Sequence, residues 1–454
     1  MAAPRKRLNK ERFFEDLGYA PHPGQLAIHR SRASRRVVAC GVRFGKSLCA
    51  AMECLAAAME PAEHSIGWIV APTYDLSERV FNQVVLIAAA HLQHRIVKIS
   101  EHDRRIVLRN MGGGLSEIRG KTADNPLSLL GEGLDYVIVD EASRLKPAIW
   151  ENHISQRLLD RKGWALLIST PKGKGWYFDL WKRGKGEDPA FESWNLPTWS
   201  NPLLDRADIE AERERLPERV FRQEYGAEFL EGSGAVFRYV RERATGEWQQ
   251  ARSGDTYSAG LDLAKVEDYT VLTIMNHRRE VVFIDRFHRL DWGIQIGRIK
   301  AALDRYPVCY VLVDSTGAGE PVYEQLLKAG IRAKPHPFTA ASKSNLVNNL
   351  ALALEQGTIT LPKPELAGVV IDELESFEYS ITDAGSVRMS APSGVHDDCV
   401  LSLALALWQC AKGGRGGTIS VLNTYPRGGR WTPMSARTTL ARRLALGQRH
   451  TGWG

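Results

Sequence analysis

The chain has 454 residues, 44% apolar and 25% charged, an ordinary balance for a soluble globular protein and enough for two or three domains of roughly 100–200 residues. Its net charge of +7 fits a polyanionic partner; a membrane span is excluded because no uninterrupted apolar run reaches ~18–20 residues, and no long apolar stretch near the start reads as a secretory signal. The six cysteines form no CxxC pair and read as reduced thiols of a cytoplasmic protein.

In chain order, a basic run, Arg5-Lys6-Arg7, precedes Pro21-His22-Pro23-Gly24-Gln25. The Gln25 carboxamide has the donor and acceptor needed to read adenine; the alternative is a surface amide. Arg36–Cys40 predicts a strand and Ser47–Met59 a helix, with Gly41-Val42-Arg43-Phe44-Gly45-Lys46-Ser47 between them. A loop in that context can cradle phosphates on backbone N–H groups and the helix N-terminus. Lys46 would reach the β- and γ-phosphates and Ser47 would hold Mg²⁺. Cys40 stands where GxxxxGKS has its first glycine, so the motif is partial.

Ser65–Ala71, Leu134–Val139 and Trp164–Ser169 predict further strands. They are apolar throughout, which suggests a parallel sheet covered on both faces. The second runs into Asp140 and Glu141, suited to a Mg²⁺ shell and to polarising an attacking water. The alternative is a helix-start pair favoured by the dipole. The third ends in Ser169-Thr170, whose hydroxyls either sense the γ-phosphate or cap the strand end. From Asn195 a loop leads to a charged helix, Asp208–Leu216, and a second helix opening at Pro217-Glu218, together a lid. Glu231-Gly232-Ser233-Gly234 reads as a flexible linker.

Tyr257–Leu263, Thr270–Asn276 and Val281–Arg286 predict a meander, followed by a helix at Trp292–Tyr306 and a strand at Val308–Asp314. After two more strand–helix alternations, Phe377–Thr382 and Val387–Ala391 form a hairpin about Asp383-Ala384-Gly385, and a helix runs from about His396 to Lys412. Asp262, Asp314 and the pair Asp397 and Asp398 would converge from two strands and a helix. Such a set can hold two hard cations about 3.5–4 Å apart and hydrolyse a phosphodiester. Each also has a structural reading: Asp314 capping a helix at Ser315-Thr316-Gly317, and Asp397 and Asp398 serving the helix dipole. Asp268 is a weaker candidate. Gly413–Gly454 reads as a Gly/Arg-rich tail without Asp or Glu.

The runs GVRFGKS, APTYDLSERVF, LDYVIVDEAS, LISTPKGKGWYFDLW, SNPLL, LPERVFRQEYGAEFLEGSGAVF, AGLDLAKVEDYTV, VDSTGAGEPVYEQL and HDDCVLSLALA together resemble the terminase large subunit family of tailed bacteriophages, over roughly residues 20–412. The resemblance implies an α/β protein: a P-loop ATPase of the additional-strand class with a helical lid, then an RNase H/RuvC-like nuclease. The expected division is ATPase core 1–195, lid and linker 196–234, nuclease 235–412 and basic tail 413–454. The resemblance implies ATP-driven movement of double-stranded DNA into a procapsid through a portal protein, and Mg²⁺- or Mn²⁺-dependent cutting of concatemeric DNA. It also implies a small terminase subunit as partner, a homo-oligomeric ring during packaging with a monomer in solution as the other state, and work in the host cytoplasm, transiently at the portal.

By position, Gln25, Arg43, Gly45, Lys46, Ser47, Asp140, Ser169 and Thr170 match the ATP site, and Glu141 the water-activating residue. Asp262, Asp314, Asp397 and Asp398 match the nuclease metal ligands. One departure concerns the trans-acting arginine finger: Leu130 occupies the position of an arginine common in relatives, leaving Arg119, Arg144 or another residue to supply the charge. DNA contacts to phosphate are expected from Arg104-Arg105, Lys172-Gly173-Lys174 and Lys182-Arg183, with solvated surface charge as the alternative. The tail is a candidate for docking to portal or procapsid. A helicase-like or repair ATPase fused to a nuclease is the competing enzyme class; it would carry a second RecA-like domain, and the sequence has one phosphate loop. A degenerate scaffold would have lost Lys46, Glu141 or Asp314, and all are present.

Overall fold

The computed structural model describes residues 8–231, 233–263, 268–314, 320–382, 387–392 and 395–413. Arg5-Lys6-Arg7, Ser315-Thr316-Gly317, the Asp383-Ala384-Gly385 turn and the tail from residue 414 lie outside these.

Helices α1 (Lys10–Asp16) and α2 (Pro23–Arg30) precede strand β1 (Arg35–Cys40) and helix α3 (Lys46–Met59). Then follow β2 (His64–Ala71), α4 (Tyr74–His91), β3 (Ile96–Ser100), β4 (Arg105–Arg109), β5 (Leu115–Thr122), β6 (Tyr136–Asp140), β7 (Trp164–Ser169), α5 (Trp176–Arg183) and β8 (Phe191–Leu196). They form one sheet in the order β3-β4-β5-β2-β6-β7-β1-β8. The strands from β5 to β8 are parallel, as their apolar runs require, but β3 and β4 add antiparallel pairs at one edge. The sheet is therefore mixed rather than all parallel. The outermost strand, β3, is short and largely exposed, with Lys98 at its centre, which suits an edge that must not pair further. Strand β7 lies between β1 and β6, the additional strand that separates the phosphate loop from the acidic strand. Both faces of the sheet are buried: Val38, Ile69 and Ile138 pack against α3 and α4, while Val37, Val70 and Val139 pack against Trp150 and Tyr177.

Helix α3 carries a fully buried carboxylate, Glu53. Its oxygens meet Arg36 Nη1 and His29 Nδ1 at 2.6 Å each and Lys10 Nζ at 2.9 Å. Burial opposes the charge, but Arg36, His29 and Lys10 outweigh it and hold the carboxyl well below its ordinary range. This cluster fastens α1, α2 and β1 to the helix that opens at the phosphate loop.

Helices α6 (Arg206–Arg215) and α7 (Glu218–Glu224) form the expected lid, followed by β9 (Ser233–Ala235), α8 (Val240–Arg243) and β10 (Ala244–Gly246). Next come β11 (Tyr257–Asp262), β12 (Thr270–Asn276), β13 (Val281–Phe287), α9 (Trp292–Leu303), β14 (Val308–Asp314), α10 (Glu320–Lys328), β15 (Ala333–His336), α11 (Ala340–Gln356), β16 (Leu361–Pro362), α12 (Pro364–Ser376), β17 (Glu378–Ile381), β18 (Val387–Ser390) and α13 (Asp398–Gly413). The second sheet has the order β13-β12-β11-β14-β15, with the meander antiparallel and β14 and β15 parallel to β11. The flexible-linker reading of Glu231–Gly234 is corrected: Ser233 and Gly234 are in β9, paired antiparallel with Ser380 and Tyr379 of β17. Small side chains there let the Tyr379 ring lie against the strand.

Helix α13 packs directly on β11. A Cβ at Gly260 would stand 2.1 Å from Ser402 O and 2.5 Å from Ala406 N, so only glycine allows this approach. Ser402 Oγ donates to Gly260 O at 2.9 Å, and Gln409 accepts from Ala259 N at 3.2 Å. Among the described residues, no helix is long and apolar enough to cross a membrane.

Gly260→Val should displace α13 and cost about 2–3 kcal/mol, seen as a lower denaturant midpoint for the second unit. Arg36→Met should remove a principal partner of a buried charge and cost about 3 kcal/mol, read from the unfolding midpoint of the first unit.

Candidate functional site

The phosphate loop is held from outside by four side chains. The carbonyls of Val42, Arg43, Phe44 and Gly45 accept in turn from Thr198 Oγ1 (2.7 Å), Asn201 Nδ2 (3.0 Å), His22 Nε2 (3.0 Å) and Gln25 Nε2 (3.1 Å). Carbonyls engaged by such donors are not free to oppose a bound anion, and Gly45 O also accepts from Cys49 N at 3.0 Å in the first turn of α3. Gln25 also accepts from His22 N at 3.2 Å, so its carboxamide braces the loop. The lid sits close: a Cβ at Gly41 would lie 2.6 Å from Tyr225 O, and Val42 N donates to Glu224 O at 2.8 Å. Arg43 (φ 60°) and Glu141 (φ 51°) both adopt left-handed backbone, a strain that persists only where the surroundings impose it.

Lys46 draws three segments together. Its Nζ lies 3.2 Å from Thr170 Oγ1 and 3.3 Å from Glu141 Oε1. Burial works against the ammonium, but Glu141 above all, with Asp140 beside it, outweighs burial and raises the Lys46 pKa. Burial also works against the Glu141 carboxylate, but Lys46 and Arg144 outweigh it and hold its pKa below the usual value. Asp140, buried at the end of β6, is pushed the other way, first by burial and then by the charge of Glu141. Ser169 and Thr170 are buried at the end of β7, where Ser143 Oγ meets Ser169 Oγ at 2.7 Å and donates to Thr170 O at 2.8 Å. The Ser47 hydroxyl and Asp140 carboxylate are hard oxygen donors of the kind Mg²⁺ takes.

In the second unit, β11 and β14 are parallel with Leu261 beside Val313, which sets Asp262 and Asp314 at neighbouring strand ends. Asp262 lies on the face of β11 that Gly260 opens to α13, the helix that starts at Asp398. Burial raises the Asp262 pKa well above the carboxylate range, and the charges of Asp398, Asp314 and Asp397 raise it further. Crowded carboxylates with oxygen donors only fit hard divalent cations. Asp398 Oδ2 accepts from Tyr269 N at 3.1 Å, while Asp397 Oδ2 accepts from Lys343 Nζ at 3.0 Å. Among the described residues, the group whose ligand atoms all lie within 4.8 Å of one another is Asp268, His396 and Asp398; Asp262, Asp314 and Asp397 stand outside that group.

Residues 38–243 match the family model for the N-terminal part of the T4-like-virus type of terminase large subunit, and residues 259–409 match the terminase RNaseH-like domain. The terminase large subunit of Thermus virus P23-45 is 36% identical over 446 residues, covering 89% of this chain and 90% of that one. The chain belongs to the terminase large subunit family. The large terminase of another thermophilic bacteriophage shares the fold, with a TM-score of 0.56 at 12% identity over 87% of this chain and 99% of that one. A magnesium-bound structure of the large terminase nuclease from phage G20c is 30% identical, covers 38% of this chain and 97% of that one, and has a TM-score of 0.36. As a terminase large subunit, the chain joins an ATPase domain to an RNase H-like endonuclease domain, the pairing for DNA packaging and cleavage.

Several residues of this terminase chain's sites were not singled out in its sequence. Thr198, Asn201 and His22 act through the loop carbonyls, contacts that no local pattern announces. Lys343 lies 54 residues before Asp397, and Glu373 accepts from Cys399 N at 2.8 Å from 26 residues away. His396 had a signal, because it adjoins Asp397 and Asp398. The expected DNA-contacting cations are mostly engaged inside the protein: Arg104 with Glu78, Arg105 with Glu117, Lys172 with Glu224, Lys174 with Glu231 and Arg183 with Asp188. Arg119 is tied to Glu117 and Glu132, and Arg144 lies 3.5 Å from Glu141 of its own chain.

Proposed function

We propose that this chain hydrolyses ATP at the loop 41–47 and uses the cycle to drive double-stranded DNA through a portal into a procapsid, cutting concatemeric DNA at its second domain. The observation that carries the reading is the set of four side-chain-held carbonyls of a loop whose Lys46 meets both Glu141 and Thr170. Lys46 would neutralise the β- and γ-phosphates of the substrate. Glu141, kept ionised by Lys46 and Arg144, would accept a proton from the attacking water. Ser47 and Asp140 would hold Mg²⁺, Arg43 and Gly45 would line the phosphates, and Ser169 and Thr170 would sense the γ-phosphate. Gln25 would brace the loop and face adenine.

At the second site, Asp262, Asp314 and Asp398, with Asp397 beside them, would hold Mg²⁺ or Mn²⁺, two ions in the full complement. Bound there, the metal supplies an activated water and charge for the leaving oxygen of a phosphodiester. The residues' own task is to keep their oxygens in place on two strand ends and a helix start. We place the working units at 1–195, 196–234, 235–412 and 413–454, with β8 extending one residue past the first border. The partners in this reading are double-stranded DNA, the portal protein and procapsid, and a small terminase subunit. The chain would form a homo-oligomeric ring while packaging, in the host cytoplasm and transiently at the portal.

Asp314→Ala should lower Mn²⁺-dependent cleavage of supercoiled plasmid by roughly 100-fold or more and leave ATP turnover intact; equal cleavage by both proteins would overturn the assignment. Glu141→Gln should retain ATP binding while ATP turnover drops by about 100-fold or more, measured by phosphate release beside a nucleotide-binding titration.

A further inference from the structure

Asp397 and Asp398 are neighbours in sequence but their carboxylates are held by different elements. Asp398 is fixed from the β12 side by Tyr269 N at 3.1 Å. Asp397 is fixed from α11 by Lys343 Nζ at 3.0 Å. Lys343 stands in the first turn of α11, after the cap at Thr339, whose hydroxyl accepts from Ser342 N. A cation there opposes the helix dipole, which favours negative charge at this end. Its place is compensated by the carboxylate it holds. The Phe377 ring, 6.0 Å from Nζ, borders the same ammonium.

We propose that Lys343 is a positioning residue that holds Asp397 against α11, so that Asp398, with Asp262 and Asp314, forms the ligand set of the nuclease metal. This rests on the metal-nuclease reading above. Both candidate carboxylates stand at the start of one helix, too close for their identities to be separated by sequence position. Lys343 separates them by charge. It pairs with Asp397 and not with Asp398, whose Oδ2 takes the Tyr269 backbone N–H and lies 3.6 Å from His396 Nδ1. Lys343 thereby sets which oxygens are free to bind the cation.

The test is Mn²⁺ binding to the full chain, followed by the loss of the free-ion paramagnetic resonance signal, with thermal melting as the check on folding. Asp398→Asn should weaken Mn²⁺ binding by about tenfold or more, and Asp397→Asn should stay within about twofold of the unaltered chain. Lys343→Met should tighten Mn²⁺ binding by about fivefold, because a nearby positive charge is lost and Asp397 is released. Adding Asp397→Asn to Lys343→Met should remove most of that gain, and Lys343→Arg should restore ordinary binding. The proposal is overturned if Asp397→Asn weakens binding as much as Asp398→Asn, or if Lys343→Met leaves the affinity unchanged while Asp398→Asn still weakens it. If neither Asp262→Asn nor Asp398→Asn alters Mn²⁺ binding, the metal-nuclease reading itself has failed, a result distinct from failure of the Lys343 role alone.

Discussion

Charge buried at the end of an apolar strand has to be answered by another charge, and both working sites of this protein are built on that requirement. Asp140 ends β6 and Asp262 ends β11, each nearly sealed from solvent and each with further carboxylates beside it. Left alone, such groups take up protons rather than remain ionised in a medium of low polarity. In the first domain Lys46 answers Glu141 across 3.3 Å, and Arg144 adds its charge from the other side. Among the described residues of the second domain Asp262 has Asp314, Asp397 and Asp398 as neighbouring charges, with Lys343 opposing them, and a hard metal is the natural complement. The difference follows from substrate chemistry. A nucleotide arrives with its own negative phosphates and needs a lysine waiting, whereas phosphodiester cleavage needs a cation held by the protein.

Geometry at these sites depends on close backbone approach as much as on side chains. At Gly260 the absence of a Cβ lets α13 lie against β11, which brings the helix start within electrostatic reach of the two strand ends. At the phosphate loop the decisive groups are carbonyls, engaged by donors from two segments, His22 with Gln25 and Thr198 with Asn201. Two of those donors, Thr198 and Asn201, come from the stretch that leads into the lid, so loop shape and lid position are mechanically one arrangement. Lys172, just past the Ser169-Thr170 strand end, pairs with Glu224 on α7 and extends the same connection.

Much of this was readable from the chain. Apolar strand runs identified the parallel core, and the acidic residues at their ends gave the candidate chemistry. The segments that escaped notice did so for physical reasons. β3, β4 and β5 mix exposed and buried positions and carry charges such as Lys98, Arg105 and Glu117, so their hydrophobic pattern is weak. Ser233 and Gly234 have linker composition, yet they pair with β17 because neighbouring backbone rather than their own side chains supplies the stabilising contacts. The acidic partners of the basic surface runs were not legible because some lie as far as 57 residues away in sequence. Lys343 and Glu373 escaped for the same reason: their roles exist only once distant segments are folded together.

The Glu53 cluster has a consequence for where this motor's first module begins. The matching family model starts at residue 38, but the carboxylate beneath the nucleotide loop draws its partners from Lys10, His29 and Arg36. The inherited signature and the folding unit thus have different edges. The opening helices, which that signature does not include, are the electrostatic floor of the engine, and a module trimmed to its recognisable part would keep the motif while leaving a bare anion in its oil-like interior.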